Sequence, residues 1–255
     1  MPAQRTTTNE ITRTNVGVEL FRVNAERNDV AVLWYEPRRA RGVTLVAGHG
    51  YSSSKHNLDF LCSFLSSHGF GVYSLDFPGH KLGASGGVLR DFDDCIDAMR
   101  STIDFARKRD HGTTLYTIGH SMGAMTALFT ASLDKKIAGV ASIATGYGRP
   151  RAMDALQAAG ATDFRASYVN GISLQELMAR VDERFDALLP GLAGRPALYV
   201  AANHDAMVNE RSVRELFDRA PGPKRFATIA SDHTTAGEHA KSEVLQWLNE
   251  LHPRA

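Results

Sequence analysis

The chain has 255 residues, 43% of them hydrophobic, which is enough to bury the core of one domain. Its formal net charge of +1 at pH 7 gives no electrostatic basis for binding nucleic acid, so we expect no such partner. No apolar run reaches membrane-spanning length, and residues 1–14 lack the hydrophobic centre of a signal peptide. These observations predict a cytoplasmic protein without membrane insertion.

Cysteine usage and short motifs bear on redox state and cofactors. Cys62 and Cys95 each lie on the apolar side of a predicted helix, which favours buried free thiols over a disulfide. The sequence contains none of the closely spaced cysteine or histidine pairs typical of metal sites. No motif for a nucleotide, flavin or pyridoxal cofactor is present either. We therefore expect no metal and no cofactor.

Strands and helices alternate along most of the chain. Short apolar, β-branched runs predict strands at residues 18–23, 30–35, 43–47, 71–75, 113–118, 140–144, 197–201 and 225–229. The first two are close enough to form a hairpin. Between the later strands, apolar residues recur every three or four positions, as on the buried face of a helix. This order predicts an α/β fold with a mainly parallel eight-stranded sheet, helices on both faces, and functional residues at the carboxyl ends of the strands.

One segment breaks this alternation after the sixth strand. Ser173 and Glu176 have the spacing of a capping box, so a helix is expected to begin there. Its apolar residues would share one face: Leu174, Leu177, Met178, Val181, Phe185 and Leu188. We interpret residues 149–195 as a short helical lid inserted into a core made of residues 1–148 and 196–255. A helix that merely covers the core has the same periodicity and is the alternative interpretation.

The sequence Gly-His-Ser-Met-Gly at residues 119–123 lies between a predicted strand and a predicted helix. In that position a G-x-S-x-G motif forms a nucleophile elbow, a strained turn that exposes the serine hydroxyl. Gly119 and Gly123 are expected where the strand and helix backbones approach closely, because a Cβ atom would not fit. We therefore predict that Ser121 is a nucleophile.

A serine hydroxyl is a weak nucleophile, so a base and an orienting acid should accompany it. Of the ten histidines, His233 follows the last predicted strand, and Asp205 follows the strand before it. The chain order Ser121, Asp205, His233 is the order expected of a catalytic triad on such a sheet. Asp232 is the rival acid, but a neighbouring residue on an extended segment points away from His233.

The negative charge that develops during acyl transfer needs two preorganised donors, usually backbone amides. The amide of Met122 follows the nucleophile directly, and the amide of Tyr51 lies in the loop after the third strand. We predict that these two amides form the oxyanion hole. The side chains of Tyr51, His120 and Met178 are predicted to line the substrate pocket. His49 is expected to brace its loop through hydrogen bonds rather than to act as a base.

Through these motifs the chain resembles members of the α/β-hydrolase superfamily, and the resemblance extends from about Val18 to Leu251. The resemblance rests on Gly48-His49-Gly50, Asp76-Phe77-Pro78-Gly79-His80, Gly119-His120-Ser121-Met122-Gly123, Asp205 with Val208 three residues on, and His233. Residues 76–85 are similar to a family loop, D-x-x-G-H-G-x-S, but run two residues longer. The resemblance implies that this loop is structural and braces the oxyanion segment.

The resemblance implies a serine hydrolase, and the leading hypothesis is cleavage of a carboxylic ester through an acyl-serine intermediate. A lid rich in Leu, Met and Phe favours a small or medium acyl group or an apolar alcohol portion. The alternative is a thioesterase or acyltransferase, with an acyl carrier as partner. Hydrolysis of a C–C bond and a non-catalytic ligand receptor are further alternatives. The expected partner is a small-molecule ester or thioester, and the chain is expected to be a monomer or a homodimer.

A proline-type aminopeptidase is a less favoured alternative. Such an enzyme would need acidic residues in the lid to hold the amine of its substrate. The acidic residues of this segment look solvent-facing in the sequence pattern: Asp154, Asp163, Glu176 and Asp182.

Overall fold

The computed structural model describes residues 16–110, 112–158 and 167–253. The expectations for residues 1–14 and for Asp163 lie outside this part of the chain. The strands are β1 (Val16–Asn24), β2 (Asp29–Pro37), β3 (Val43–Gly48), β4 (Gly71–Leu75), β5 (Thr114–His120), β6 (Gly139–Ile143), β7 (Ala197–Ala202) and β8 (Lys224–Ile229). The α-helices are α1 (Asp59–Ser67), α2 (Phe92–Arg109), α3 (Met122–Leu133), α4 (Arg149–Ala158), α5 (Leu174–Met178), α6 (Val181–Leu188), α7 (Glu210–Arg219), α8 (Ala236–His239) and α9 (Lys241–Leu251).

The eight strands of the described residues form one sheet in the order β1-β2-β4-β3-β5-β6-β7-β8. The β1–β2 hairpin and the β2–β4 pair are antiparallel, and every other neighbouring pair is parallel. The predicted eight-stranded, mainly parallel α/β sheet is thereby confirmed. In the register, Gly48 of β3 lies opposite Gly119 of β5, so the ends of these two strands and the loops that follow them meet at one edge.

Helices cover both faces of the sheet, so strands such as β3, β4 and β7 have every residue buried. One apolar cluster joins one face to α2, α3, α6 and α7, and the other joins the opposite face to α1 and α9. Cys95 belongs to the first cluster and Cys62 to the second, and both are free thiols, as predicted.

The segment after β6 contains α4, α5 and α6 rather than one long helix. Its predicted capping box is present, with the Glu176 amide donating to Ser173 Oγ at 3.2 Å and the Ser173 amide donating to Glu176 Oε2 at 3.0 Å. Helix α5 ends at Met178, and α6 packs on the core through Phe185, whose ring lies 5.1 Å from that of Phe129 on α3. The lid function and the domain boundaries of this segment stay predictions.

Candidate active site

The turn between β5 and α3 has the strained geometry of a nucleophile elbow. Ser121 has φ 54° and ψ −117°, a backbone conformation that non-glycine residues rarely adopt. A Cβ atom on Gly119 would lie 2.2 Å from the backbone of Gly123, and one on Gly123 would lie 2.0 Å from the carbonyl oxygen of Gly48. The close backbone approach predicted for these two glycines is therefore present. It holds Ser121 at the carboxyl edge of the sheet.

Two hydrogen bonds join residues from three separate loops at this edge. His233 Nε2 lies 3.0 Å from Ser121 Oγ, and His233 Nδ1 lies 2.7 Å from Asp205 Oδ2. The three residues are far apart in sequence, and each follows a parallel strand of the sheet. The structure therefore brings together the three side chains that the sequence predicts as a triad.

Asp205 is held by its own loop as well as by the histidine. Its Oδ1 accepts hydrogen bonds from the amides of Met207, at 2.8 Å, and Val208, at 2.7 Å. Burial raises the pKa of the Asp205 carboxyl, but the hydrogen bond and charge of His233 and the two backbone amides outweigh it. The net pKa of Asp205 is lowered, so the carboxylate form is favoured.

The rival acid has another role in the structure. Asp232 is exposed, and its Oδ1 accepts from the amide of Thr235 at 2.9 Å and from the Thr235 hydroxyl at 2.8 Å. These contacts stabilise the turn after His233, and they lower the pKa of Asp232. The carboxylate that meets the His233 ring is that of Asp205.

Two further histidines near the elbow are held by backbone groups. The amide of Phe77 donates to His49 Nε2 at 3.0 Å, which leaves His49 Nδ1 to donate to the Gly50 carbonyl at 2.8 Å. His120 Nε2 lies 2.7 Å from the carbonyl oxygen of His233. Burial lowers the pKa of His49 to about 3 and that of His120 to about 4. Both rings are therefore neutral and brace loops at the site.

The longer loop at residues 76–85 is built around a buried ion pair. Asp76 accepts from Lys55 Nζ at 2.6 Å and from the Lys55 amide at 2.7 Å, and the Ala84 amide donates to it at 2.6 Å. Although burial raises the pKa of Asp76, these donors bring its net pKa below the usual value. A Cβ atom on Gly83 would lie 2.6 Å from the Asp76 carboxyl carbon, so the loop closes tightly over it. These contacts tie the loop to the segment that follows β3.

A cavity of about 260 Å³ opens beside Ser121 and His233. The three predicted pocket residues, Tyr51, His120 and Met178, line it, as do several residues that the sequence interpretation did not single out. Its walls include the four methionines Met122, Met125, Met178 and Met207. Leu58, Leu82, Leu174 and Arg149 also line it. The loop of Tyr51 and the first turn of α3, with Met122, border the cavity. An oxyanion hole formed by their amides stays a prediction.

Arg149 is the charged wall residue that the sequence interpretation missed. It begins α4 shortly after β6 ends at Ile143, so its position beyond the carboxyl end of a strand was a signal that could have found it. The side chain is buried, and its Nη1 donates to the Met207 carbonyl oxygen at 2.6 Å. Arg149 therefore contacts the loop that carries Asp205.

Residues 16–110, 112–158 and 167–253 lack two kinds of feature. In these ranges no helix is long and apolar enough to cross a membrane. Within the same ranges, no group of three or more His, Cys, Asp or Glu side chains could hold a metal ion.

Comparisons with known proteins indicate the family of this chain and show which solved structures share its fold. Residues 39–176 match the family model described as "Serine aminopeptidase, S33". An esterase from Pyrococcus furiosus has a similar structure, with 19% identity, a TM-score of 0.71, and coverage of 93% of this chain and 92% of that one. The ferulic acid-bound Est1E of Butyrivibrio proteoclasticus is 14% identical, with a TM-score of 0.72 and coverage of 90% of this chain and 98% of that one.

A cold-adapted esterase from an Arctic intertidal metagenomic library is also similar, at 17% identity and a TM-score of 0.68 over 94% of this chain and 95% of that one. At these identities the structural likeness shows a shared fold. No match was found among curated proteins.

Proposed function

Because the chain belongs to the serine aminopeptidase (S33) family of α/β hydrolases, we propose that it is a serine hydrolase that cleaves carboxylic esters. The observation that carries the proposal is the hydrogen-bonded series Asp205, His233, Ser121, which ends at the wall of a cavity. A nucleophile within 3.0 Å of a base, which is itself oriented by an acid, has the geometry required for acyl transfer.

In this mechanism Ser121 Oγ attacks the ester carbonyl carbon while His233 Nε2 accepts the serine proton. Asp205 accepts the hydrogen bond from His233 Nδ1, which fixes the tautomer with Nε2 available and stabilises the imidazolium that forms. His233 then gives the proton to the departing alkoxide, leaving an acyl-serine. Water, deprotonated by the same histidine, releases the acid and restores Ser121.

The tetrahedral intermediates carry an oxyanion, for which we propose the amides of Met122 and Tyr51 as donors. Support comes from position: Met122 is the first residue of α3, where backbone amides point out of the helix end. Ser52, with φ 60°, turns the loop that carries Tyr51, and the Tyr51 hydroxyl anchors it to the Ile172 carbonyl at 3.0 Å. His49 and the Asp76 loop brace the same segment.

The walls of the cavity bear on the acyl group. A volume of about 260 Å³ suits a small or medium acyl chain, since it lies near the lower end of ligand pockets, which run from about 300 Å³. Methionine side chains are unbranched and flexible, so the wall can adapt to chains of different shape. Helix α5 contributes Leu174 and Met178 to this wall, in keeping with a lid role.

The family description raises an aminopeptidase as the competing activity. An aminopeptidase needs an anionic group to hold the substrate amine, and none of the described residues that line the cavity is Asp or Glu. Arg149 lines it instead, and its positive charge repels an ammonium group. The wall therefore favours an ester over an N-terminal peptide. A thioester is chemically close to an ester, and the same triad serves both.

The proposal is tested with p-nitrophenyl esters from acetyl to palmitoyl, beside alanine and proline p-nitroanilides and an acyl thioester of N-acetylcysteamine. We expect hydrolysis of the esters to peak at a short or medium chain and the p-nitroanilides to be poor substrates. Thioester turnover that exceeds ester turnover at the same acyl length would assign the thioesterase activity instead.

Ser121→Ala is the control for each substrate, because it removes the nucleophile and leaves the fold intact. Its ester hydrolysis should fall to the background rate while its melting temperature stays close to that of the wild type. Equal ester hydrolysis by the variant and the wild type would refute the assignment of Ser121.

A further inference from the structure

Arg149 is a buried cation in the wall of a cavity that also contains the proposed nucleophile. The residue is 4% exposed, and the described wall residues include no Asp or Glu. Burial lowers the pKa of His120, another residue of the wall, to about 4, so its ring is neutral. The charged group at this part of the wall is thus a guanidinium.

The surroundings of Arg149 fix its position. Nη1 donates to the Met207 carbonyl oxygen at 2.6 Å, and the Met207 amide donates to Asp205 Oδ1 at 2.8 Å. The guanidinium is therefore attached to the loop that orients His233. A rigid cation at a fixed place is suited to orienting a substrate, because little side-chain entropy is lost when the substrate binds.

The guanidinium group has the chemistry to recognise a carboxylate. Its planar fork of N–H donors matches the two oxygens of a carboxylate, and charge-assisted hydrogen bonds are roughly twice as strong as neutral ones. In a buried wall, solvent and salt screen the attraction much less than at the surface. Methionine and leucine side chains around the cavity suit a short methylene chain between the carboxylate and the ester.

We infer that Arg149 is a specificity-determining residue that binds a carboxylate on the substrate. The preferred substrate is then an ester whose acyl or alcohol portion carries a free carboxylate, such as a monoester of a short dicarboxylic acid. This inference rests on the proposed function, since it names the substrate class of the same site. The competing explanation is that Arg149 acts only as a clamp on the Met207 carbonyl.

The test compares esters that differ only in charge. Monomethyl succinate, glutarate and adipate are assayed beside the corresponding methyl ester monoamides, in which a neutral amide replaces the carboxylate. The acetyl ester of 4-hydroxybutyrate and that of its amide place the same difference on the alcohol side. For each pair, the ratio of kcat/KM for the anionic ester to that for the amide is measured by released acid.

For the wild type we expect this ratio to exceed about 10 for at least one chain length. The series in which it does so shows whether the acyl or the alcohol portion of the substrate carries the carboxylate. Arg149→Met keeps the length of the side chain and removes its charge, so the ratio should fall by about 10- to 100-fold. Arg149→Lys keeps the charge without the fork and should give an intermediate ratio. Arg151→Met, at an exposed residue of the same helix, should leave the ratio unchanged.

A wild-type ratio near or below 1 for every pair overturns the inference without the use of any variant. It is also overturned if Arg149→Met lowers both rates equally, because a clamp on Met207 would affect every substrate alike. A second measurement separates this failure from failure of the proposed function. Calorimetry measures the binding of adipate to Ser121→Ala and to the double variant Ser121→Ala/Arg149→Met, and it needs no turnover. Loss of adipate binding in the double variant supports the anion site even if no ester is cleaved.

Discussion

Two aspartate–histidine pairs lie near the carboxyl edge of the sheet. They differ in the contact made by the second ring nitrogen, the one that does not face the aspartate. Asp205 lies 2.7 Å from His233 Nδ1, and Asp76 lies 3.9 Å from His49 Nε2. The second nitrogen of His233 faces the Ser121 hydroxyl in the wall of a cavity. The second nitrogen of His49 bonds to the Gly50 carbonyl.

Burial accounts for the rest of the contrast. The His49 side chain is fully buried, whereas 12% of the His233 side chain is exposed beside the cavity. Asp76 meets a lysine as well as a histidine, so its charge stabilises a buried ammonium group. A carboxylate beside an imidazole is therefore not enough to make a general base. The ring must also have a nitrogen directed at the reacting group.

The largest difference is expected from removing each histidine in turn. His233→Ala should lower kcat for ester hydrolysis by about 10⁴- to 10⁶-fold, as loss of a triad histidine does in known serine proteases. Added imidazole can enter the space left beside Ser121 and should restore part of this activity. His49→Ala should reduce the free energy of unfolding, and imidazole should not restore any lost activity. Rescue of His49→Ala instead would reverse the roles given to the two rings.

The two candidate acids give the next comparison. Asp205→Asn should lower kcat by about 10⁴-fold, because the amide cannot hold His233 in the correct tautomer. Asp232→Asn, at an exposed turn, should change kcat by less than about threefold and affect stability only slightly. Steady-state kinetics on one ester, with melting temperatures as the folding control, would show which acid matters. A larger loss in Asp232→Asn would sink the assignment of Asp205.

Breaking the second pair should affect stability rather than chemistry. Asp76→Asn leaves the ammonium group of Lys55 buried without its counter-charge, which should reduce the free energy of unfolding by about 3–5 kcal/mol. Urea denaturation monitored by tryptophan fluorescence measures this change. Glu183→Gln is the matched control, since it breaks an exposed pair with Arg180 and should change stability by less than about 1 kcal/mol. Equal effects of the two variants would contradict the role given to Asp76.

The last comparison is the dependence of stability on pH. His49 and His120 have their pKa lowered to about 3 and about 4 by burial, with the neighbouring histidine adding to the effect in each case. Since an unfolded histidine titrates at about pH 6.5, the unfolded chain binds more protons than the folded chain between about pH 6.5 and 4. Stability should therefore fall as the pH decreases through this window, by at most about 1.4 kcal/mol per pH unit for each histidine.

His120→Gln removes one of these two histidines, so it should flatten the dependence of unfolding free energy on pH. His56→Gln replaces an exposed histidine and is the surface control. Denaturation curves at several pH values between about 4.5 and 6.5 provide the slopes. An unchanged slope in His120→Gln would mean that its buried ring does not contribute.

Much of the fold could be predicted from the sequence because the signals are local. Strand runs, the elbow glycines and the capping box at Ser173 each depend on residues a few positions apart. The break between α5 and α6 at residues 179–180 was not predicted. Periodicity continues across that break, since Leu177, Val181 and Phe185 are all buried whether or not the helix is continuous.

The order of residues along the chain shows which residue types follow the ends of the strands, and hence the candidate nucleophile, acid and base. Parallel strands carry those ends to one edge whatever the loops do, so the prediction needed no long-range contacts. The folded structure is needed to see that His233 contacts Asp205 and Ser121, that both ring nitrogens of His49 bond to backbone groups, and that Arg149 lines the cavity. These contacts join residues up to 112 positions apart, and their geometry depends on packing that no local pattern encodes.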